Sequence, residues 1–447
     1  MENSNIIESC YENIEKYEDK LNSFITLRDK KEVLSELSTS RKSSSPLAGL
    51  PYVMKDAYVT KGILTTAASN VLRGFIPPYD ATVYSKLKAA GAILLGKMNM
   101  DAWGHGASTE NTDFGVTHNP WDLSRVAGGS SGGPAAAIAA GFAQFAIGED
   151  TGGSIRNPAA WTNTTGLKVT YGRVSRYGAI AYASSFDTVG PMAKSVKECA
   201  LILREIAGLD PYDATSSPTP VPDYVKLLGE DITTLKVGIP SEMYGPGLNS
   251  EINDAIMEAK KRLEKLGIKT IQVSLPIAEL ALAAYYLIAP SETSSNLARY
   301  DGIRYGDSRS NFTTETMRRI MTGTYALSSG YYDAYYRKAQ KVRTLLIQKY
   351  DEALSSCDIL LMPVNPGMPP KFGELLNDPL ENMLADLYTT SINQVGVPSL
   401  ALPAGFSKSG LPIGMQLVGK KFSEELLLAL GHQYQQVTDW HTRKPKL

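Results

Sequence analysis

The sequence predicts an α/β fold built around one large sheet, and two observations carry that expectation. From Pro51 the chain reads as a strand, PYVMKD, then a helix from Ala81 to Ala90 closed by Gly91, then a strand, AILLGK. The same order returns in LKVGIP, the helix INDAIMEAKKRLEKL ending at Gly267, and IKTIQVSL. Strand, helix and strand in close succession imply parallel pairing, because a parallel partner is reached only by a crossover. No low-complexity tract separates the units, so both are expected in one sheet rather than in separate domains. The 447 residues would fill up to about three domains of ordinary size or one large one. Only Asp210 to Asp223, rich in Pro, Ser and Thr, could be a boundary, and it is short enough to be a surface loop.

The remaining elements follow in order. Ile7, Cys10, Tyr11, Ile14, Tyr17 and Leu21 recur at helical spacing, which predicts an amphipathic helix packed on the body. That segment carries six acids against two lysines in its first twenty residues, the reverse of an Arg-rich transit peptide, so a mature N-terminus is expected. Pro134 opens an Ala-rich helix at a first-turn position, where its missing N–H costs nothing. Residues from about 276 to 355 are dense in Ala, Leu, Tyr and Arg without strand alternation, which predicts a helical subregion. Taken alone, Tyr331, Tyr332, Tyr335 and Tyr336 read as helix-packing core, and Arg318, Arg319, Arg337 and Arg343 as surface residues.

Composition excludes several classes of function. Hydrophobic residues make up 43% and charged residues 20%, ordinary globular usage that rules out a disordered chain. With 45 basic and 46 acidic side chains the net charge is −1, so the chain as a whole has no bias towards nucleic acid, and an RNA partner would need a local patch or another subunit. Cys10, Cys199 and Cys357 stand far apart without a CxxC pattern, against a disulfide framework and against a zinc site. The most apolar run, Pro134 to Gly148, is shorter than a bilayer span. A soluble intracellular protein in a reducing compartment, bacterial cytoplasm or mitochondrial matrix, is expected.

The chemistry is concentrated in AGGSSGGPAAAIAAGFAQFAIGEDTGGSIR, Ala127 to Arg156. Gly128, Gly129, Gly132 and Gly133 surround Ser130 and Ser131, and a second loop, Asp150 to Ser154, repeats the composition. Glycine-rich loops let backbone N–H groups converge beside a hydroxyl, as an oxyanion site requires. Neither loop has the GK[ST] ending or the GxGxxG context of a phosphate cradle. Close packing of glycines, with the serines as caps, is the plainer alternative for either loop alone. A serine nucleophile needs a base, and none of His105, His118, His432 and His441 stands in a triad-like motif. Lys55, at the end of the apolar run LPYVM, is the better candidate, since burial favours the neutral amine that a base requires.

PLAGLPYVMKD, AGGSSGG and GEDTGGSIRNPA together resemble the amidase-signature family, whose members hydrolyse amides with a Ser–cis-Ser–Lys triad. Ser154 follows Ser130 by 24 positions, the spacing between that family's nucleophile and bridging serine. The resemblance implies Ser154 as nucleophile, Ser130 with a cis peptide bond as proton relay, and Lys55 as base. It also implies an oxyanion hole from the amides of Thr151, Gly152, Gly153 and Ser154. The implied fold is a single amidase-signature domain over 1–447, a large mixed central sheet covered by helices on both faces, with the helical subregion at about 276–355.

Outside the signature, YYLIAPSETSSNLARYDGIRYG, MRRIMTGTYALSSGYYDAYYRKAQKVR, DPLENMLADLYT and GVPSLALPAGFSKSGLPIGMQLVG resemble one branch of that family, the glutaminase components of glutamyl-tRNA(Gln) amidotransferases. The branch implies that ammonia from glutamine passes to a partner B subunit, which uses ATP and Mg to amidate Glu-tRNA(Gln), while this chain needs no cofactor or metal. A small third subunit is a further implied partner. Arg319 and Asp386 are the implied holders of the α-carboxylate and α-ammonium of glutamine, with Tyr286 or its neighbour Tyr285 in the same pocket. The chain departs from the branch by a later start, a shorter stretch between Gly306 and Met317, and Pro134, Thr164 and Val169 at positions where other residues are usual. The shortened edges bear on how the third subunit docks, and none of these departures touches the triad. A stand-alone amidase for small or acyl amides, and a degenerate subunit kept for assembly, are the competing expectations.

Overall fold

The structure, a computed structural model, describes residues 2–40, 43–276 and 278–447. In chain order the strands are β1 Phe24–Leu27, β2 Pro51–Lys55, β3 Ile93–Met98, β4 His118–Asn119, β5 Asp122–Val126, β6 Phe145–Asp150, β7 Thr165–Lys168, β8 Thr188–Ala193, β9 Lys236–Pro240, β10 Lys269–Val273, β11 Ile359–Pro363, β12 Ser399–Phe406 and β13 Pro412–Gly419. Eleven of them form one sheet in the order β1-β3-β2-β6-β8-β7-β12-β13-β11-β9-β10, and β4 with β5 makes a small ribbon. The strand–helix–strand units pair in parallel, β2 with β3 around the helix Thr82–Ala89 and β9 with β10 around the helix Ser250–Lys265. The sheet is mixed because β8, β12 and β13 run antiparallel to their neighbours. Strands on both sides of Asp210–Asp223 share this sheet, so that segment is a loop of one domain. Arg173 pins it, donating to the carbonyls of Thr219 and Pro220 at 3.1 and 3.0 Å.

Both faces of the sheet are covered, which is why its strands read as continuous apolar runs rather than alternating ones. On one face Tyr52, Met54, Leu94, Phe145, Ile147 and Leu417 pack beneath the helices Thr82–Ala89, Val196–Ile206, Ser250–Lys265 and Glu424–Gln436. On the other, Val53, Leu95, Ala146 and Met192 meet the helices Glu2–Leu21, Gly132–Ala140 and Arg156–Thr162. The N-terminal helix docks as its periodicity predicts, with Ile7, Cys10, Tyr11, Ile14 and Leu21 buried. Three long helices, Ala278–Asn296, Thr314–Leu327 and Tyr336–Ser356, make the expected helical subregion.

That subregion corrects two expectations. Tyr331, Tyr332 and Tyr335 are not core: they occupy turns before the last helix and stand 41%, 46% and 38% exposed. They satisfy their faces among themselves, Tyr331 lying 4.3 Å from Tyr325 and 5.9 Å from Tyr335 between ring centroids. Arg319, by contrast, is buried, and Arg343 turns inward to donate to the Gln394 carbonyl at 2.8 Å and to Ser185.

Candidate active site

β2 and β6 are parallel neighbours, so Lys55 and Asp150, their last residues, emerge at the same edge of the sheet. The carboxyl ends of parallel strands are where the backbone leaves the ladder and side chains reach into loops. Strand alternation puts Lys55 on the Val53 face, beside the helices Gly132–Ala140 and Arg156–Thr162. Lys55 is completely buried. Its Nζ donates to Ser130 Oγ at 2.7 Å, to Glu149 Oε2 at 2.8 Å and to the Glu149 carbonyl at 3.3 Å. These three oxygens fix the position of the amine beside Ser130.

Ser130 is fixed by its backbone. The Gly129–Ser130 peptide bond is cis, and the Ser130 carbonyl accepts the Asp101 N–H at 3.3 Å. The glycines here are required by close approach: a Cβ on Gly128 would lie 2.7 Å from Pro158 Cα, and one on Gly129 would lie 2.6 Å from the Ser108 nitrogen. The capping alternative fails for Ser131, which does not cap the helix it precedes and instead donates to the Glu149 carbonyl at 3.2 Å. Its N–H donates to the Ser154 carbonyl at 3.1 Å, which ties the two serine loops together.

The second loop is wrapped around a carboxylate. Asp150 accepts the N–H groups of Gly153 at 2.9 Å and Ile155 at 3.1 Å, and Arg156 grips both of its oxygens at 3.1 and 3.0 Å. Burial alone would raise the Asp150 carboxyl, but the Arg156 guanidinium, Lys168 and Asn393 outweigh it and hold it at about 2. The Gly153 amide therefore departs from the expected oxyanion set, since it already donates to Asp150. Thr151, Gly152 and Ser154 remain as backbone donors free of such a bond among the described residues. Ser154 itself is 6% exposed.

Glu149 and Asp187 complete the buried polar layer. The Thr151 hydroxyl bonds Glu149 Oε1 and, at 2.6 Å, Asp187 Oδ1. Burial, reinforced by the Glu149 charge, pushes the Asp187 carboxyl up to about 8.

Arg319, Asp386 and Tyr286 are brought together. Tyr286 donates to Asp386 Oδ2 at 3.0 Å, and the Arg319 guanidinium lies 5.2 Å from the Tyr286 ring centroid. Arg319 also bonds the Tyr182 hydroxyl and Glu315. Burial pushes the Asp386 carboxyl up to about 7 against the opposing pull of Arg319 and the Tyr286 hydroxyl. Tyr285 joins this group to the serine loops: its hydroxyl donates to Tyr182 at 3.2 Å and would stand 2.5 Å from a Cβ on Gly152. Both tyrosines thus face the site, Tyr286 at the Arg–Asp end and Tyr285 at the loop end. Of the histidines, His105 is buried behind this end, with ring nitrogens 3.2 Å from the hydroxyls of Thr293 and Thr316, and His118 meets the Leu123 carbonyl. An apolar cavity of about 480 Å³ between Phe75, Tyr79, Tyr177 and Tyr300 contains none of these groups. Among the described residues no cluster of three or more His, Cys, Asp or Glu could hold a metal ion, and no helix is long and apolar enough to cross a membrane.

This constellation has relatives. Residues 5–428 match the family model described as Amidase. The chain belongs to the amidase-signature family. It is 47% identical over 462 aligned residues to the A subunit of the Desulfatibacillum aliphaticivorans glutamyl-tRNA(Gln) amidotransferase, covering 99% of this chain and 95% of that protein. Against the corresponding Moorella thermoacetica protein the identity is 51%, with 90% and 85% covered. The crystal structure of the Thermotoga maritima counterpart superposes with a TM-score of 0.82 at 38% identity, covering 96% of this chain and 90% of that one. The amidase-signature fold is shared more widely, as 6-aminohexanoate cyclic dimer hydrolase with substrate shows at a TM-score of 0.90, 26% identity and coverage of 100% and 96%.

Proposed function

We propose that this amidase-signature chain is the glutamine-hydrolysing component of a tRNA-dependent amidotransferase. The observation that carries the reading is the buried pair of opposite charges, Arg319 and Asp386, linked by Tyr286. A free amino acid presents one carboxylate and one ammonium, and a buried site must pair both or leave a charge uncompensated. A pocket for a neutral acyl amide needs neither group, which separates this reading from a stand-alone amidase. The similarity to glutamyl-tRNA(Gln) amidotransferase A subunits over 95% and 85% of their lengths supports it.

In this reading Ser154 Oγ attacks the side-chain carbonyl of glutamine. Its proton passes to Ser130 Oγ while the Ser130 proton passes to Lys55 Nζ, which acts as base in its neutral form. The backbone amides of Thr151, Gly152 and Ser154 stabilise the oxyanion. Returning the proton through Ser130 expels ammonia and leaves a γ-glutamyl ester on Ser154, which water then cleaves to glutamate. The ammonia serves a partner B subunit, which uses ATP and Mg to convert Glu-tRNA(Gln) to Gln-tRNA(Gln), with a small third subunit completing the complex.

Ammonia release from glutamine by the chain alone, and by the complex reconstituted with Glu-tRNA(Gln) and the B subunit, tests the reading. Weak activity alone that rises on reconstitution is expected. Undiminished turnover by the isolated chain, indifferent to partner and tRNA, would assign it as a stand-alone amidase.

A further inference from the structure

Lys55 meets two side chains, and only one of them belongs to the expected triad. The other is Glu149, whose carboxylate is buried against Lys55 Nζ at 2.8 Å. Its second oxygen is held by the Thr151 hydroxyl, which also meets Asp187. A hydroxyl has one hydrogen to give, so a threonine placed between two carboxyl groups donates to one and accepts from the other. The direction is set by Asp187, whose carboxyl is buried and pushed up to about 8. Burial and the Glu149 charge thus favour a proton on Asp187, which leaves the Thr151 hydroxyl to donate to Glu149 Oε1 while Glu149 Oε2 accepts from Lys55 Nζ. Asp187 is itself anchored by the N–H groups of Tyr182 at 3.1 Å and Ala183 at 2.9 Å.

We propose that Glu149 is a positioning residue for Lys55: it aims the amine at Ser130 and stabilises the ammonium that forms when Lys55 accepts the serine proton. This rests on the reading of Lys55 as the base. The step balances: the Ser154 proton goes to Ser130 Oγ, the Ser130 proton goes to Nζ, and the new positive charge forms beside a fixed negative one. A negative charge at this distance makes proton acceptance more favourable, and in a dry site that help is not screened. The arrangement has the logic of a carboxylate holding a catalytic imidazole, with lysine in place of histidine. The other titratable groups facing the pair are Tyr58, whose hydroxyl donates to the Gly148 carbonyl at 2.7 Å, Asp101 on the loop after β3, and Arg176 beyond Asp187. None of the three replaces Glu149 as an acceptor for Lys55 Nζ among the described residues.

The test is the pH dependence of kcat at saturating glutamine, with KM measured alongside, in the reconstituted complex, for wild type, Glu149→Gln, Glu149→Asp and Lys55→Ala. Glu149→Gln keeps the shape but removes the charge. It should lower kcat by about tenfold or more with KM changed less than about threefold, and it should move the acid limb to lower pH by about one unit, because the amine gives up its proton more readily. Glu149→Asp keeps the charge but draws it back, so kcat should fall while the acid limb stays in place. If Glu149→Gln does not fold, Glu149→Asp decides alone: wild-type kcat in that variant overturns the proposal. An acid limb that Glu149→Gln leaves unmoved also overturns it, whether or not kcat falls, since a merely structural role predicts that result. Full activity in Lys55→Ala would instead strike the reading of Lys55 as base, so the two failures are distinguishable.

Discussion

Tyr286 donates its hydroxyl to Asp386 at 3.0 Å while its ring lies beneath the Arg319 guanidinium. One side chain thus organises both charges that a free amino acid would need. Arg319→Ala should raise KM for glutamine far more than KM for an amide lacking the α-carboxylate, because only the first loses a charge-assisted hydrogen bond. Steady-state kinetics on both amides checks this, and equal losses would make Arg319 structural.

The Asp386 carboxyl, raised by burial to about 7, gives a pH dependence of defined sign. Below that pH it is neutral and cannot pair an ammonium, so KM for glutamine should rise as pH falls below about 7. The same shift weakens the fold: an Asp with a raised folded value loses stability between the unfolded value near about 4 and about 7. Asp386→Asn should therefore raise Tm at about pH 8 by a few degrees while raising KM sharply. Thermal melts of both proteins at that pH, read beside their kinetics, check the trade.

Asp150 titrates in the opposite sense. Arg156, with Lys168 and Asn393, overcomes the effect of burial and holds its carboxyl at about 2. Stability from this group is complete above about pH 4 and is lost as pH falls through about 2. Arg156→Ala leaves a buried carboxylate unpaired and should cost about 3–5 kcal/mol. Arg156→Lys should recover little of it, because an ammonium cannot grip both oxygens as the guanidinium does. Urea unfolding of the two variants measures the difference.

Lys55→Arg should be as inactive as Lys55→Ala, several orders of magnitude below wild type, since a guanidinium stays protonated and cannot accept the serine proton. Near-wild-type ammonia release by Lys55→Arg would reduce the lysine to an electrostatic role.

The parts of the site that local sequence dictates are legible without the fold. β2 and β3 announce themselves as short apolar runs around a capped helix, and the buried end of β2 makes Lys55 conspicuous. Ser130 and Ser154 stand in glycine loops whose composition has few uses. Arg319, Asp386 and Tyr286 come from resemblance to a known branch, not from their own surroundings. Asp150 and Arg156 offer a faint signal, two charges bracketing a loop between buried elements. Glu149 lies in view within GEDTGGS, but its meaning depends on β2 lying beside β6, which no local pattern encodes. Tyr182 and Asp187 reach the site from a separate loop and carry no local mark. The misplacement of Tyr331, Tyr332 and Tyr335 has a physical source: their spacing suits a helix, yet these residues lie in turns where side chains at three- and four-residue intervals share no buried face.

The most direct measurement is the paired assay of Ser154→Ala in the reconstituted complex, with glutamine or free ammonia as nitrogen donor. If Ser154 carries the γ-glutamyl ester, the variant releases no ammonia from glutamine and forms no Gln-tRNA(Gln) from it, while ammonium salts still support amidation at the wild-type rate. Glutamine-dependent amidation that persists in Ser154→Ala would contradict the account.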